Sequence, residues 1–283
     1  MEVSSVASQF TLSTSANASS TIEDGVKGIF GLGGAVGMVE RPTVTYSPLQ
    51  GDQFIQRVLS PLPLQTITLL YHSGWSIERI FQLCFQRMNN IKNAPGASGP
   101  TPKNAPQFKK FLEAIKYLRE LQTQDVLNLS YNNESGGPQI VLNITDEGKK
   151  LKAAQNFARL LNLEPGLERY FISFSQKQNG FGEIRVVTRS LLGVLFYLSQ
   201  GVEAPQQDVN AGKVTRTLKK SGEVFDWKEV TGEILRVRSQ SKRPDNAALR
   251  VFYRGTWFFI KDSDLKSKST FSLLSQIFSL QAG

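Results

Sequence analysis

The chain of 283 residues contains one cysteine and one histidine. A single cysteine excludes an internal disulfide, and these two residues supply too few ligands for a Cys/His metal site. Cys84 lies in the apolar helical pattern IFQLCFQ, which is typical of a buried thiol. His72 is the only histidine available to a Ser/His/acid triad, and its position at a predicted helix end favours a structural role.

Long apolar runs are also absent, since the chain has no stretch of about 18 apolar residues, and we predict no membrane-spanning helix. The N-terminus, Met1-Glu2-Val3, has no basic leader and no apolar core of the signal-peptide type. We expect either that the mature chain begins here or that a leader lies upstream. The sequence contains no internal repeat and no Asp-rich calcium loop, and we expect no cofactor.

Two glycine-containing segments fall short of known motifs. The run from Gly31 to Gly37 has Val36 where the G-x-G-x-x-G dinucleotide fingerprint requires its third glycine. The segment GASGP around Ser98 lacks the spacing of a nucleophile elbow and lies in a proline-rich loop. The first segment therefore indicates an arm or a hairpin, and the second indicates a loop.

Basic residues outnumber acidic ones, mostly in the second half of the chain. The net charge is +9; residues 146–283 hold 22 Lys/Arg and 14 Asp/Glu, which leaves 11 and 10 for the first 145 residues. Such a basic half suggests nucleic acid, anionic lipid or a phosphorylated glycan as a partner, although a solvated surface rich in lysine remains an alternative. Candidate contacts with an anion or a partner are Lys219, Lys220, Arg236, Arg238, Lys242 and Arg243.

Hydrophobic periodicity predicts helices first and a mixture of helices and strands later. The predicted helices lie at 51–60, 64–71, 77–89, 107–122, 146–161 and 188–200, with a final helix after Asp264. The predicted strands lie at 41–48, 126–131, 139–144, 170–175 and 183–187, and within a β-rich block at 214–260. This order predicts an α+β fold with an N-terminal helical segment packed on a mixed or antiparallel sheet, and a C-terminal β-rich block closed by the last helix.

The same patterns predict the domain organisation. We expect a glycine-rich arm or hairpin in residues 1–40 and a mainly helical subdomain in residues 41–125. An α+β subdomain would then occupy residues 126–283, with a linker near residues 201–213. The boundary near residue 125 rests on the shift from helical to β-rich patterns that follows the helix at 107–122.

Asp262 and Asp264 are the best candidates for paired catalytic carboxylates. Two carboxyl groups can perform acid–base chemistry when burial separates their pKa values. Asp264 is equally well placed as the N-cap of the final helix, where its side chain would accept free backbone N–H groups.

Five segments together resemble a known family: RPTVTYSPLQGDQF (41–54), SGWSIERIFQLC (73–84), NAPGASGPTP (93–102), RSLLGVLFYLSQGVEAP (189–205) and FYRGTWFFIKDSDLKSKSTFSLL (252–274). They resemble an uncharacterised family of Gram-negative envelope proteins, often predicted to be outer-membrane lipoproteins. Members usually start with a signal peptide and a lipidated cysteine, and this chain shows neither. The resemblance implies a location at the periplasmic face of the outer membrane, but it transfers no site residue.

We therefore expect a non-catalytic envelope protein with a structural or interaction role, which contacts anionic lipid or glycan through a basic sheet face. The expected partners are an anionic membrane surface or an envelope protein, and a second copy of the chain through residues 1–40. Nucleic acid is not an expected partner. Two alternatives stay open: a carboxylate-dependent hydrolase or transferase around Asp262, and a nucleic-acid-binding module that uses residues 213–254.

Overall fold

The chain divides into two compact units, Met1–Phe54 and Ile55–Gly283. The computed structural model describes residues 2–17, 33–47, 52–133, 137–174 and 180–282. Within these residues, no helix combines the length and the apolar character that are needed to cross a membrane.

The first unit contains two antiparallel strands, β1 (Glu2–Asn17) and β2 (Gly33–Ser47). Their pairing begins with Glu2 opposite Ser47 and ends with Asn17 opposite Gly33. Residues 33–37 of the glycine run thus belong to a strand, whereas the dinucleotide fingerprint requires a strand-to-helix turn. Residues 18–32, which hold the glycines at positions 25, 28 and 31, lie outside the described residues.

Helices make up much of the chain from residue 52 onward. They are α1 (Asp52–Leu59), α2 (Leu64–His72), α3 (Ile77–Cys84), α4 (Lys109–Thr123), α5 (Lys152–Leu160), α6 (Leu191–Ser199), α7 (Gln206–Asn210), α8 (Lys228–Thr231) and α9 (Leu265–Ala282). Short 3₁₀ turns occupy Pro95–Ser98 and Gly148–Lys150.

The strands of the second unit form two sheets. They are β3 (Phe85–Met88), β4 (Ile91–Lys92), β5 (Leu127–Asn132), β6 (Gln139–Ile144), β7 (Arg169–Ser173), β8 (Glu183–Thr188), β9 (Arg238–Gln240), β10 (Ala247–Tyr253) and β11 (Thr256–Lys261). The larger sheet has the order β4-β3-β8-β7-β6-β5, in which only β7 and β8 are parallel. The smaller sheet is antiparallel, with the order β10-β11-β9. The predicted α+β class is confirmed.

A single hydrophobic cluster holds the second unit together. It runs from Leu62, ahead of α2, to Leu273 and Ile277 in α9, and all three side chains are fully buried. The cluster continues across position 125, where the sequence suggested a subdomain boundary. The terminal helix is therefore part of the same core as the first helices.

Several predicted elements were wrong in extent. The predicted strand 41–48 is the end of the longer β2, which begins at Gly33. Helix 77–89 ends at Cys84, because Phe85 and Met88 are buried as strand residues that pair with β8. Helix 146–161 is split into a 3₁₀ turn and α5 by the extended backbone of Leu151. The segment 214–237 contains α8 and turns, so the strands of the predicted β-rich block begin only at Arg238. The predicted linker at 201–213 contains the short helix α7.

Gly148 permits the close packing of its 3₁₀ turn against β6, and alanine there is expected to lower the free energy of unfolding by about 1–3 kcal/mol through overpacking. An added Cβ would lie 2.8 Å from Cγ2 of Ile144 and 2.9 Å from Cβ of Val126. Urea unfolding of Gly148→Ala measures the loss. Gly96→Ala is the matched control, since its Cβ would meet nothing within 4 Å. Equal midpoints for the two variants would contradict the prediction.

Candidate functional site

The C-terminal hairpin is built by its turn. Arg254 and Gly255 both have positive φ values, 48° and 80°, as a two-residue type I′ turn requires. The turn sets the register of β10 and β11, in which Tyr253 pairs with Thr256 and Arg250 pairs with Phe259. Strand β9 joins the other side of β11 and places Arg238 opposite Phe259.

This register collects three cations on one side of the sheet. Residues that are paired across strands point to the same side, so Arg250 and Arg238 flank Phe259, and Lys261 follows two positions along β11. Strands lie about 4.8 Å apart, which puts the Cα atoms of the two arginines roughly 10 Å from each other. We call this surface the basic sheet face; it consists of Arg238, Arg250, Phe252, Trp257 and Lys261, around the buried Phe259.

Aromatic rings accompany these cations. Phe252 and Trp257 are paired across β10 and β11 on the same side, with ring centroids 5.0 Å apart. Toward the turn, Phe252 is 56% exposed and Tyr253 is 62% exposed, although both are large apolar or amphipathic side chains. The hairpin therefore offers a face of cations and aromatic rings, and an apolar tip, to a partner.

The six candidate contacts predicted from the sequence do not all lie on the basic sheet face. Arg238 is on it, and Lys242 and Arg243 are exposed in the segment that follows β9. Arg236 precedes β9 and forms an ion pair with Glu203 at 3.4 Å. Lys219 and Lys220 lie in a separate turn, next to Leu218, whose backbone bonds to residues 103 and 105.

Arg250 and Lys261 belong to the basic sheet face but are not among the candidate contacts predicted from the sequence. A signal for them was present, because counting outward from the Arg254-Gly255 turn pairs Arg250 with Phe259 and puts Lys261 on the same side. The turn alone does not identify these residues; the strand register that the turn sets does.

A second cationic surface lies elsewhere in the second unit. A cleft of about 610 Å³ is lined by Lys92, Lys109, Lys110 and Arg159, with no carboxylate among its lining residues. Its four cations are exposed, and it contributes no aromatic row comparable to Phe252 and Trp257. It is the natural competitor of the basic sheet face for any anionic partner.

The carboxylates Asp262 and Asp264 have structural partners. Asp264 caps α9, since its carboxylate accepts from the backbone N–H of Ser267 at 3.0 Å and from the Ser267 hydroxyl at 2.8 Å. The exposed Asp262 pairs with Lys268 at 2.9 Å. This geometry gives the hydrolase or transferase alternative no enclosed carboxylate pair around Asp262.

A buried arginine occupies the centre of the second unit. The Arg189 guanidinium donates to the carbonyls of Gln82, Leu83, Phe85 and Asn93 and to Oγ of Ser98. It also stacks on the ring of Tyr197, 3.9 Å from the ring centroid. Burial lowers the pKa of Arg189 to about 10. Ser98 thus serves as an acceptor for a structural cation, and not as an exposed nucleophile.

Cys84 and His72 have the surroundings of structural residues. Cys84 is fully buried, and this burial raises the pKa of its thiol to about 12, so the reactive thiolate is disfavoured. His72 is an exposed residue at the end of α2, with its ring edge-on to Tyr71. In the part of the chain that the structure describes, no cluster of three or more His, Cys, Asp or Glu residues is arranged to hold a metal ion.

Comparison with family models, curated proteins and solved structures gave no match to this chain. The resemblance to envelope proteins accordingly stays a prediction. The geometry of the basic sheet face is the most specific structural observation from which a function can be argued.

Proposed function

We propose that this is a non-catalytic cell-envelope protein that contacts anionic lipid through its basic sheet face. The observation that carries the proposal is the charge distribution of β9, β10 and β11. These strands contain three cations and no carboxylate, and the register points Arg238, Arg250 and Lys261 to one side. Location in the envelope is supported by the sequence resemblance alone.

The energetics favour contact with a surface over contact with a single small anion. The cations are spread over the sheet, and each Lys or Arg close to an anionic membrane surface contributes about 1 kcal/mol. The neighbouring apolar tip, with Phe252 and Tyr253 more than half exposed, suits the boundary between head groups and acyl chains. A phosphorylated glycan offers the same anionic group without an apolar layer for the tip.

Neutralising Arg238 and Arg250 together is expected to weaken adsorption to anionic vesicles about 30-fold, since two contributions of about 1 kcal/mol are lost. The measurement is co-sedimentation of Arg238→Gln/Arg250→Gln with vesicles of phosphatidylcholine containing phosphatidylglycerol. The wild type should adsorb less at higher salt and adsorb weakly to pure phosphatidylcholine.

Two matched variants remove the same charge elsewhere. Lys150→Gln/Lys152→Gln changes exposed lysines near α5 and should adsorb like the wild type. Lys109→Gln/Lys110→Gln changes the competing cleft. A greater loss in the cleft variant than in the sheet variant would refute the proposal. Retention on a phosphorylated polysaccharide without vesicle adsorption would reassign the contact to glycan, and tighter binding to single-stranded DNA would favour the nucleic-acid alternative.

A further inference from the structure

An apolar groove of about 330 Å³ lies on the opposite side of the same three-stranded sheet. Its walls are the sheet, α6 and α9. Side chains that line it while remaining more than a third exposed are Leu195, Val202, Leu249, Val251 and Phe271. These apolar side chains therefore line an open groove between the sheet and the two helices.

The polar groups in the groove wall are already engaged inside the protein. The Ser199 hydroxyl donates to the carbonyl of Phe196 at 2.8 Å. The Thr270 hydroxyl donates to the carbonyl of Ile234 at 2.6 Å and accepts from the Arg79 guanidinium. An occupant therefore finds little hydrogen bonding in the groove, and apolar contact dominates its binding.

Strand β10 joins this groove to the basic sheet face. It is an edge strand, since it pairs with β11 alone within the described sheet. Alternation along β10 directs Leu249 and Val251 to the groove side and Arg250 to the basic side. Arg250 is also the only charged residue among those that line the groove. Arg250, whose guanidinium also donates to the carbonyl of Pro244 at 3.3 Å, therefore lies at the β10 edge, between the apolar groove and the basic sheet face.

We infer that the groove binds one acyl chain of an anionic lipid, whose head group meets Arg250 across the β10 edge. Arg250 at the edge of the groove would attract an anionic head group, while the apolar lining would bind the chain attached to it. A volume of about 330 Å³ lies at the lower end of the range for ligand sites, about 300–1,000 Å³, which suits one chain and not a whole two-chain lipid. The choice of lipid over another amphiphile rests on the proposed function.

The test uses a lipid with a single chain, free of vesicles. Titration calorimetry with dodecanoyl lysophosphatidylglycerol, below the concentration at which it forms micelles, should detect binding to the wild type. Leu195→Gln/Phe271→Gln changes the α6 and α9 walls and should bind about tenfold more weakly, because apolar burial is lost. The control is Val187→Gln in β8, a partly exposed apolar residue outside the groove lining, and it should bind like the wild type.

The head group is tested separately. Arg250→Gln should remove most of the preference for lysophosphatidylglycerol over lysophosphatidylcholine with the same chain. No binding of either lysolipid, or equal binding by the wall variant, would overturn the inference. Tighter binding of dodecanoate would assign the groove to free fatty acids, and self-association that the wall variant abolishes, without lysolipid binding, would assign it to a second copy; both results overturn it.

The vesicle experiment and the wall-variant experiment fail independently when the vesicle variant is Arg238→Gln alone, because Arg250 takes part in both the surface contact and the groove. Arg238 lies on the basic sheet face and does not line the groove, whereas Leu195 lines the groove and is not on the basic sheet face. Loss of lysolipid binding in the wall variant, with salt-sensitive vesicle adsorption retained, would show that chain binding and surface contact are separable.

Discussion

Replacement of Arg189 by methionine is expected to lower the free energy of unfolding by about 3–5 kcal/mol. The Arg189 side chain is fully buried and bonds to four backbone carbonyls and one hydroxyl. Three of those carbonyls, from Gln82, Leu83 and Phe85, lie at the end of α3 and the start of β3. The guanidinium thus stabilises the point at which the helix becomes a strand.

Methionine has a similar length but donates no hydrogen bond. In engineered proteins, an apolar residue can replace a buried ion pair at little cost when both charged partners are removed. The partners of Arg189 are backbone groups, which remain buried after the substitution. The side-chain amide of Asn93 also bonds to the carbonyls of Gln82 and Phe85, and it can satisfy these two but not the carbonyl of Leu83. Each unsatisfied buried acceptor costs about 1–3 kcal/mol.

Urea unfolding followed by circular dichroism measures the effect. Arg159→Met is the matched control, since Arg159 is exposed on α5 and its guanidinium donates to Oδ1 of Asn156 at a distance of 3.5 Å. We expect this control to change stability by less than about 0.5 kcal/mol. The stability of Arg189→Lys should fall between those of the two variants, because an ammonium retains the charge but lacks the planar set of N–H donors of a guanidinium. A midpoint for Arg189→Met equal to that of Arg159→Met would contradict a stabilising role.

Local patterns in the sequence predicted much of the fold. Helix α4 was found from its apolar spacing and lies within two residues of the predicted bounds, because Phe111, Ile115 and Leu118 all face the core. The β5–β6 hairpin and the cap at Asp264 were likewise determined by nearby residues. These features depend on contacts within a few residues along the chain.

Features determined by distant residues were missed. Phe85 and Met88 continue the helical stripe of α3, but pairing with β8, about a hundred positions later, draws them into a strand. The role of Arg189 had no local signal, since its acceptors lie 91 to 107 positions away along the chain. The apolar groove depends on how α6, α9 and the small sheet pack against one another. Hydrophobic periodicity predicts single elements and does not predict their packing. Arg238 was predicted because it lies in a basic run, whereas Arg250 required the strand register.

Truncation of Ile277 to alanine is expected to lower the free energy of unfolding by about 2–5 kcal/mol, through lost burial and an internal cavity. Ile277 is fully buried in α9 and belongs to the same cluster as Leu62. Polar contacts also hold α9 at two positions ahead of Ile277: the indole N–H of Trp75 donates to Gln276 at 2.6 Å, and Arg79 donates to the carbonyl of Lys266 at 2.8 Å.

Leu280→Ala separates packing from helix propensity, because Leu280 lies one turn further along α9 and is 46% exposed. Its unfolding midpoint should remain close to that of the wild type, whereas a loss as large as that of Ile277→Ala would contradict the packing argument. The comparison also bears on the groove, since Phe271 occupies the exposed part of the same helix. If α9 is anchored through Ile277, the groove wall is already ordered before a ligand binds. The affinity for the proposed acyl chain would then not be reduced by the cost of ordering the helix.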